Sequence, residues 1–174
     1  MNSFIVHFEF VKLSGNSIYI KELGIYARTG GQLRVYIVGP PDGWEDLVFK
    51  SWGPIAAKRL YEEQQPGLIW ETPRELGISE DYILPQDRVI DQLHRWIRPL
   101  DLVWTMGEER RGYLQKAVGL SNVRDLQQVG CPSLISSTTT TACRYKHGEG
   151  CAYENILHCL SWLSLHNHWA GDNV

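Results

Sequence analysis

The sequence predicts a single α/β domain in which helices cover a mixed five-stranded sheet. Its 174 residues suffice for one hydrophobic core but not for two ordinary domains. The N-terminal part reads as three consecutive strands, and the remainder alternates helical with strand-like segments. This order is typical of layered α/β architecture. We assign residues 1–170 to the domain and residues 171–174 to a tail.

The three N-terminal strands form a predicted meander. Residues 4–13 alternate apolar and polar side chains and include β-branched residues, which predicts the first strand. The Ser-Gly-Asn turn at 14–16 leads into a second strand at 17–27, so the two strands make a hairpin. A Thr-Gly-Gly-Gln turn then precedes a third strand at 33–39.

The rest of the chain alternates helices with short buried strands. The predicted helices cover 54–64, 87–97, 107–119 and Cys151 to about Leu165, and the strands lie at 101–105 and within 122–130. Apolar residues of the second helix share one face, and Gly119 ends the third. Residues 133–142 are rich in Ser and Thr and predict a flexible connection. We expect the residues after the last helix to form a frayed tail.

Composition and charge narrow the class of protein. Hydrophobic residues make up 43% and charged residues 21%, as in ordinary globular proteins. The net charge of -3 does not favour a large basic face for duplex DNA. No apolar run approaches the ~20 residues of a membrane span, and the N-terminus lacks the pattern of a signal peptide. We therefore expect neither a membrane partner nor secretion.

All four cysteines lie in the last quarter of the chain, at Cys131, Cys143, Cys151 and Cys159. Such clustering favours metal binding or simple burial over disulfides, and it predicts a reducing compartment, the cytoplasm or the nucleus.

A candidate metal site precedes the last helix. Cys143, His147 and Cys151 supply three of the four ligands that tetrahedral Zn²⁺ requires, and the glycines between them allow a tight loop. The alternative reading is a loop histidine with two buried free cysteines. Cys131 is the simplest fourth ligand. A site closed by four protein ligands is structural, because no position remains for a reactive water.

The order of elements and several short motifs resemble the ribonuclease H-like superfamily, and within it the DEDD exonucleases. Those enzymes hold two Mg²⁺ ions with about four carboxylates, from an Asp-x-Glu strand, a later helix and the last helix. The matching positions here are His7 and Glu9, Arg110 or Glu109, and Cys151 with Asn155 or else His147 shifted upstream. Glu22-Leu23-Gly24 matches a Glu-Ile-Gly motif on the second strand. Because most of the carboxylates are absent, the resemblance implies that the chain is not a two-metal nuclease.

A closer resemblance is to the MAEL domain of Maelstrom proteins, which act in the animal piRNA pathway. That domain is similar to a DEDD exonuclease that has lost its acidic set and gained a Glu-Cys-His-Cys zinc site. Glu22 in KELGIY, with Cys143, His147 and Cys151, matches this set. The resemblance implies a structural Zn²⁺ and favours Glu22 over Cys131 as the fourth ligand.

The expected function is that of a degenerate exonuclease-like domain that binds single-stranded RNA, protein partners or both, in transposon silencing or in mobile-element biology. Its candidate RNA-contacting residues lie on one helix: Arg110, Arg111, Tyr113 and Lys116.

Two other functions remain open. The chain can be an active ribonuclease, either a divergent DEDD exonuclease or a metal-independent enzyme, with His7, Glu9 and Glu109 as candidate catalytic residues. It can also be a protein-interaction module that docks through the loop residues Trp44, Trp52 and Trp70.

Overall fold

The structure, a computed structural model, describes residues 1–12, 17–39, 83–133, 151–166 and 168–170. The predicted helix at 54–64 and the predicted flexible connection from residue 134 onward lie outside these residues.

A six-stranded mixed sheet forms the centre of the described structure. The strands are β1 (Ser3–Lys12), β2 (Ile18–Ala27), β3 (Gln32–Val38), β4 (Ile83–Leu84), β5 (Leu102–Thr105) and β6 (Val123–Asp125). Their order across the sheet is β4-β3-β2-β1-β5-β6. The first three strands form an antiparallel meander, β5 and β6 extend it in parallel beyond β1, and β4 pairs in parallel with β3.

The predicted α/β class is confirmed, whereas the predicted number of five strands is wrong. The additional strand, β4, contains only two residues and pairs with Ile37 and Val38 at the edge of the sheet. Two residues are too few to show the alternation that identifies a strand in a sequence. Its pairing partner, rather than its own pattern, makes this segment a strand.

Helices cover both faces of the sheet. They are α1 (Val89–Trp96), α2 (Glu108–Lys116) and α3 (Ala152–His166), with single 3-10 turns at Gln86–Arg88, Leu126–Val129 and His168–Ala170. The three predicted helices in these regions are confirmed, with ends shifted by up to three residues, and the 3-10 turn supplies the start of the one predicted at 87–97. None of the helices in the described part of the chain is long and apolar enough to span a membrane.

Alternation along β1 divides the interior into two cores, because successive side chains of a strand point to opposite faces. Phe4, Val6 and Phe8 pack with residues of α1 and α2. Ile5 packs on the other face with residues of α3. His7 and Glu9 continue the α3 face, so the alternation of β1 brings two polar side chains under the start of the last helix.

Gly24 explains why α3 lies so close to the sheet. It pairs with His7 across β1 and β2, and a Cβ built on Gly24 would overlap Ile156 Cδ1. The next nearest atoms are Ile156 Cγ1 at 3.4 Å and Ala152 Cβ at 3.5 Å. Only glycine leaves room for the first two turns of α3 at this point.

The predicted frayed tail is wrong for residues 168–170. They form a 3-10 turn, and Trp169 is 8% exposed within the α3 core. The centroids of the Trp169 and Tyr26 rings are 6.0 Å apart. The Arg28 guanidinium lies over the Trp169 ring, 5.3 Å from its centroid. The large apolar area of one indole is enough to hold this short turn against the domain.

Candidate functional site

Buried polar side chains cluster where β1, β2, α2 and the start of α3 meet. The residues of this polar cluster are His7, Glu9, Lys21, Glu22, Arg110 and Asn155. Arg110 is half-buried and the others are buried. Burying ionisable groups is costly unless they are paired and hydrogen-bonded. This polar cluster is therefore the candidate functional site of the described structure.

Glu9 is the centre of the polar cluster. One carboxylate oxygen, Oε1, lies 2.8 Å from His7 Nε2 and 3.3 Å from Asn155 Nδ2. The other oxygen, Oε2, lies 3.6 Å from Arg110 Nη2. Because a carboxylate only accepts hydrogen bonds, a neutral His7 carries its proton on Nε2. Burial and the nearby Arg110 charge both lower the pKa of His7, which favours this neutral form.

Arg110 is held rigidly beside Glu9 by the backbone. Its Nε donates to the carbonyl oxygen of Phe8 at 2.7 Å, and its Nη1 donates to that of Met106 at 3.1 Å. The guanidinium also lies 5.1 Å from the ring centroid of Phe10. Burial lowers the pKa of Arg110, but an arginine remains charged in proteins. The polar cluster therefore contains a fixed positive charge.

The turn between β5 and α2 positions Arg110. Gly107 has a φ of 94°, in the region that favours glycine, and its N–H donates to Asp125 Oδ1 at 2.8 Å. The same oxygen accepts from Gln127 N at 2.9 Å. Asp125 thus ties the start of α2 to the end of β6. Of the two residues predicted for the second acidic position, Arg110 points into the cluster and Glu109 is exposed.

A β-bulge places two polar residues of β2 opposite Glu9. Glu9 pairs with Glu22, the next residue Phe10 pairs with Ile20, and Lys21 is skipped. Such a bulge redirects side chains and is common beside functional sites. Burial lowers the pKa of Lys21 to about 8, against the opposing influence of Glu9 and Glu22. The Lys21 ammonium offsets the repulsion that two facing carboxylates would otherwise cause.

Lys21 was not among the site residues predicted from the sequence. The available signal was the pair of consecutive charged residues, Lys21 and Glu22, inside a strand that is otherwise apolar or aromatic. Two polar residues in succession are what a bulge accommodates on one face.

The Glu22 side chain, which comes from β2, contacts the beginning of α3. Its Oε1 accepts from Ala152 N at 3.0 Å, a contact between residues 130 positions apart. Asn155 Nδ2 donates to the carbonyl of Cys151 at 3.1 Å, and Cys151 itself is fully buried. A carboxylate near a helix N-terminus is stabilised by the free N–H groups there. Glu22 and Cys151, which are predicted to share a metal, are therefore close together: Glu22 accepts from the N–H of Ala152, the residue that follows Cys151.

Cys131 lies beside a later part of α3. Its Sγ is 3.9 Å from His158 Nε2, and His158 also contacts the carbonyl oxygen of Pro132 at 2.7 Å. His158 is two helical turns, about 10 Å, beyond Cys151. Burial raises the pKa of Cys131 to about 11 and that of Cys159 to about 12, so both are neutral thiols in the core.

The other predicted zinc ligands, Cys143 and His147, lie outside the described residues. Among the residues that the structure describes, no three His, Cys, Asp or Glu side chains are grouped to hold a metal ion. The donor types and the burial of Glu22 and Cys151 fit two of the four ligands of a closed zinc site. The complete ligand set remains a prediction.

The four predicted RNA-contacting residues have different surroundings. Arg110 points into the polar cluster, and Arg111 forms an ion pair with Glu108 at 2.7 Å. Tyr113 packs its edge against Phe8, with ring centroids 5.3 Å apart, whereas Lys116 is exposed. Contact of these residues with RNA remains a prediction. Trp44, Trp52 and Trp70 lie outside the described residues.

The arrangement limits what the polar cluster can do chemically. Both Glu9 oxygens already face donors, so a divalent cation at Glu9 would have to displace the Arg110 guanidinium. An imidazole beside a carboxylate is the combination that general acid–base catalysis uses. His7 is only 2% exposed, however, so a substrate has little access to its ring. Comparison of the chain with protein-family models, curated proteins and solved structures found no match.

Proposed function

We propose that the chain is a catalytically degenerate exonuclease-like domain of the ribonuclease H-like class, similar to the MAEL domain. It binds single-stranded RNA, protein partners or both, in piRNA-linked transposon silencing or in the biology of a mobile element. A structural zinc ion stabilises it, and it does not hydrolyse RNA by a two-metal mechanism.

The ion pair between Arg110 and Glu9 carries the proposal. Two-metal hydrolysis of a phosphodiester requires carboxylates that hold both ions beside the scissile phosphate. At the positions that match such carboxylates, this chain has a cation 3.6 Å from Glu9 and an amide, Asn155, that donates to it. The Arg110 guanidinium supplies the positive charge that balances Glu9, so the buried carboxylate is stabilised without a divalent cation.

The proposed zinc ligands are Glu22, Cys143, His147 and Cys151. The contact of Glu22 with Ala152 N, directly after Cys151, supports Glu22 as the fourth ligand, because Cys131 instead contacts His158, which is two turns further along α3. When bound, the ion links the residues before α3 to the sheet, and its binding free energy adds to the stability of the fold.

Elemental analysis of zinc in three purified proteins tests the ligand set. We expect about one zinc per chain in the wild type, loss of zinc in Glu22→Ala and retention in Cys131→Ala, which is the matched control. Retention of zinc in both variants, or its loss only in Cys131→Ala, would contradict the proposed site. Circular dichroism of each variant shows whether the fold itself has survived.

A cleavage assay on end-labelled single-stranded RNA tests the absence of two-metal activity. We expect no Mg²⁺-dependent shortening, and no change when EDTA is added or when Glu9 is replaced by Gln. Processive, EDTA-sensitive loss of nucleotides would contradict the proposal. Cleavage that is insensitive to EDTA but abolished by His7→Gln would support the alternative function, a metal-independent ribonuclease that uses His7 and Glu9 as an acid–base pair.

A further inference from the structure

Three aromatic rings stack at the C-terminal end of α3. The Trp162 and His166 ring centroids are 4.3 Å apart with planes 18° from parallel, and those of Trp162 and His168 are 5.3 Å apart at 7°. The two imidazoles lie 6.4 Å from each other at 11°. All three rings are therefore nearly parallel, and we call them the aromatic platform.

Both imidazoles lie over the same face of the Trp162 indole. Parallel rings in contact are separated by about 3.5 Å, so imidazoles on opposite faces would have centroids at least about 7 Å apart. The observed separation of 6.4 Å between His166 and His168 is shorter than this. The two rings thus lie side by side and form a nearly flat surface that covers the indole.

The aromatic platform is held in place before any ligand arrives. His166 Nδ1 donates to the carbonyl oxygen of Trp162 at 2.8 Å, and Trp162 packs on the α3 core. His168 belongs to the 3-10 turn that buried Trp169 anchors. Rings that are already oriented lose little conformational entropy on binding. His166 is exposed and His168 is half-buried, so both residues keep surface that is accessible to a ligand.

A positive charge lies beside the 3-10 turn that carries His168. Arg28 is exposed at the end of β2, and its guanidinium lies 5.3 Å from the ring centroid of Trp169, the residue that follows His168. Aromatic rings that stack on bases, beside a cation that meets the phosphate backbone, are the two features by which proteins bind single-stranded nucleic acid.

We propose that the aromatic platform stacks on an unpaired base of single-stranded RNA while Arg28 contacts an adjacent phosphate. This inference rests on the proposed RNA-binding function and assigns it a surface. The platform lies at the far end of α3 from Glu22 and Ala152, about 20 Å away. It is therefore separate from the polar cluster and from the proposed zinc site.

Binding to a fluorescently labelled single-stranded RNA of mixed sequence, about 12 nucleotides long, tests the inference by anisotropy. We expect the double substitution His166→Ala/His168→Ala to weaken binding about tenfold, which is within the range measured for loss of base stacking. His94→Ala is the matched control, because His94 is an exposed histidine on α1, across the sheet from α3, and it should leave the affinity unchanged.

Two further variants separate stacking from charge. His166→Tyr/His168→Tyr keeps the rings and should retain most of the affinity, whereas loss of affinity equal to that of the alanine pair would overturn the stacking role. Arg28→Ala should reduce the dependence of affinity on salt by about one phosphate contact. An unchanged salt slope would overturn the contact proposed for Arg28.

Histidine NMR signals give a local readout. We expect the Hε1 resonances of His166 and His168 to shift when the RNA is added, and that of His94 not to shift. RNA affinity that is unchanged in the alanine pair would overturn the inference while leaving the proposed function intact, and it would favour a protein partner on this surface beside exposed Leu165. Absence of RNA binding by the wild type would overturn both RNA proposals, whereas the zinc content tests the rest separately.

Discussion

The guanidinium of Arg110 lies 3.6 Å from the carboxylate of Glu9, and both groups are largely shielded from water. Glu9 also faces His7 and Asn155, so a single carboxylate satisfies donors from β1, α2 and α3. The stability of the domain should depend on this one residue more than on the surface ion pairs.

Glu9→Ala should lower the free energy of unfolding by about 3 kcal/mol, because it removes the negative charge beside the shielded Arg110 guanidinium and the oxygen that faces His7 Nε2 and Asn155 Nδ2. Urea denaturation measures the change. Glu108→Ala is the control, since it removes the ion pair of Arg111 with a carboxylate that is 64% exposed, and it should change the stability much less than Glu9→Ala does. Equal losses in the two variants would contradict a central role for Glu9.

Gly24→Ala should destabilise the domain by about 1–3 kcal/mol, because the new methyl group overlaps Ile156 Cδ1 and α3 must shift. Ile156→Val removes that atom and should restore part of the loss. A double-mutant cycle in urea gives the coupling energy between the two sites. Strictly additive effects would mean that the close approach of α3 to Gly24 is not what restricts this position.

Stability should fall on acidification, in part through His7. Burial and Arg110 lower the pKa of His7 in the fold below its ordinary value of 6.5, so the unfolded chain binds this proton first. The contribution of His7 to the free energy of unfolding is therefore largest above the pKa of the unfolded chain. It decreases as the pH falls below about 6.5, by at most about 1.4 kcal/mol per pH unit.

His7→Gln isolates that contribution. Denaturation at several pH values between about 5 and 7.5 should give a smaller decrease in the variant than in the wild type, because the glutamine does not titrate. Parallel stability curves for the two proteins would show that His7 is not kept neutral by the fold.

Trp169→Ala should destabilise the domain by about 3 kcal/mol, because a buried indole leaves a cavity beside Tyr26. Leu165→Ala is the control four residues earlier, where the side chain is 80% exposed, and its effect should stay within about 0.5 kcal/mol. Thermal unfolding followed by circular dichroism compares the two. A neutral Trp169→Ala would mean that the last turn does not contribute to the core.

Local patterns determined most of the elements. Alternation predicted β1, turn signals marked where β2 and β3 begin, and apolar spacing predicted α1 and α3, because these signals depend only on residues close together in the chain. The matches to motifs also brought forward Glu9, Glu22, Arg110 and Asn155, which the structure brings into one polar cluster or its edge. The sequence alone did not show which neighbour of the pair Glu109 and Arg110 points inward.

The tertiary structure decided the features that depend on distant partners. β4 is a strand only because the edge of β3 accepts it, and the bulge at Lys21 is defined by the register of β1 against β2. The docking of Trp169 and the contact between Glu22 and Ala152 each join residues far apart in the chain. A local pattern records how one segment divides its polar and apolar faces, but only packing determines which segment each face meets.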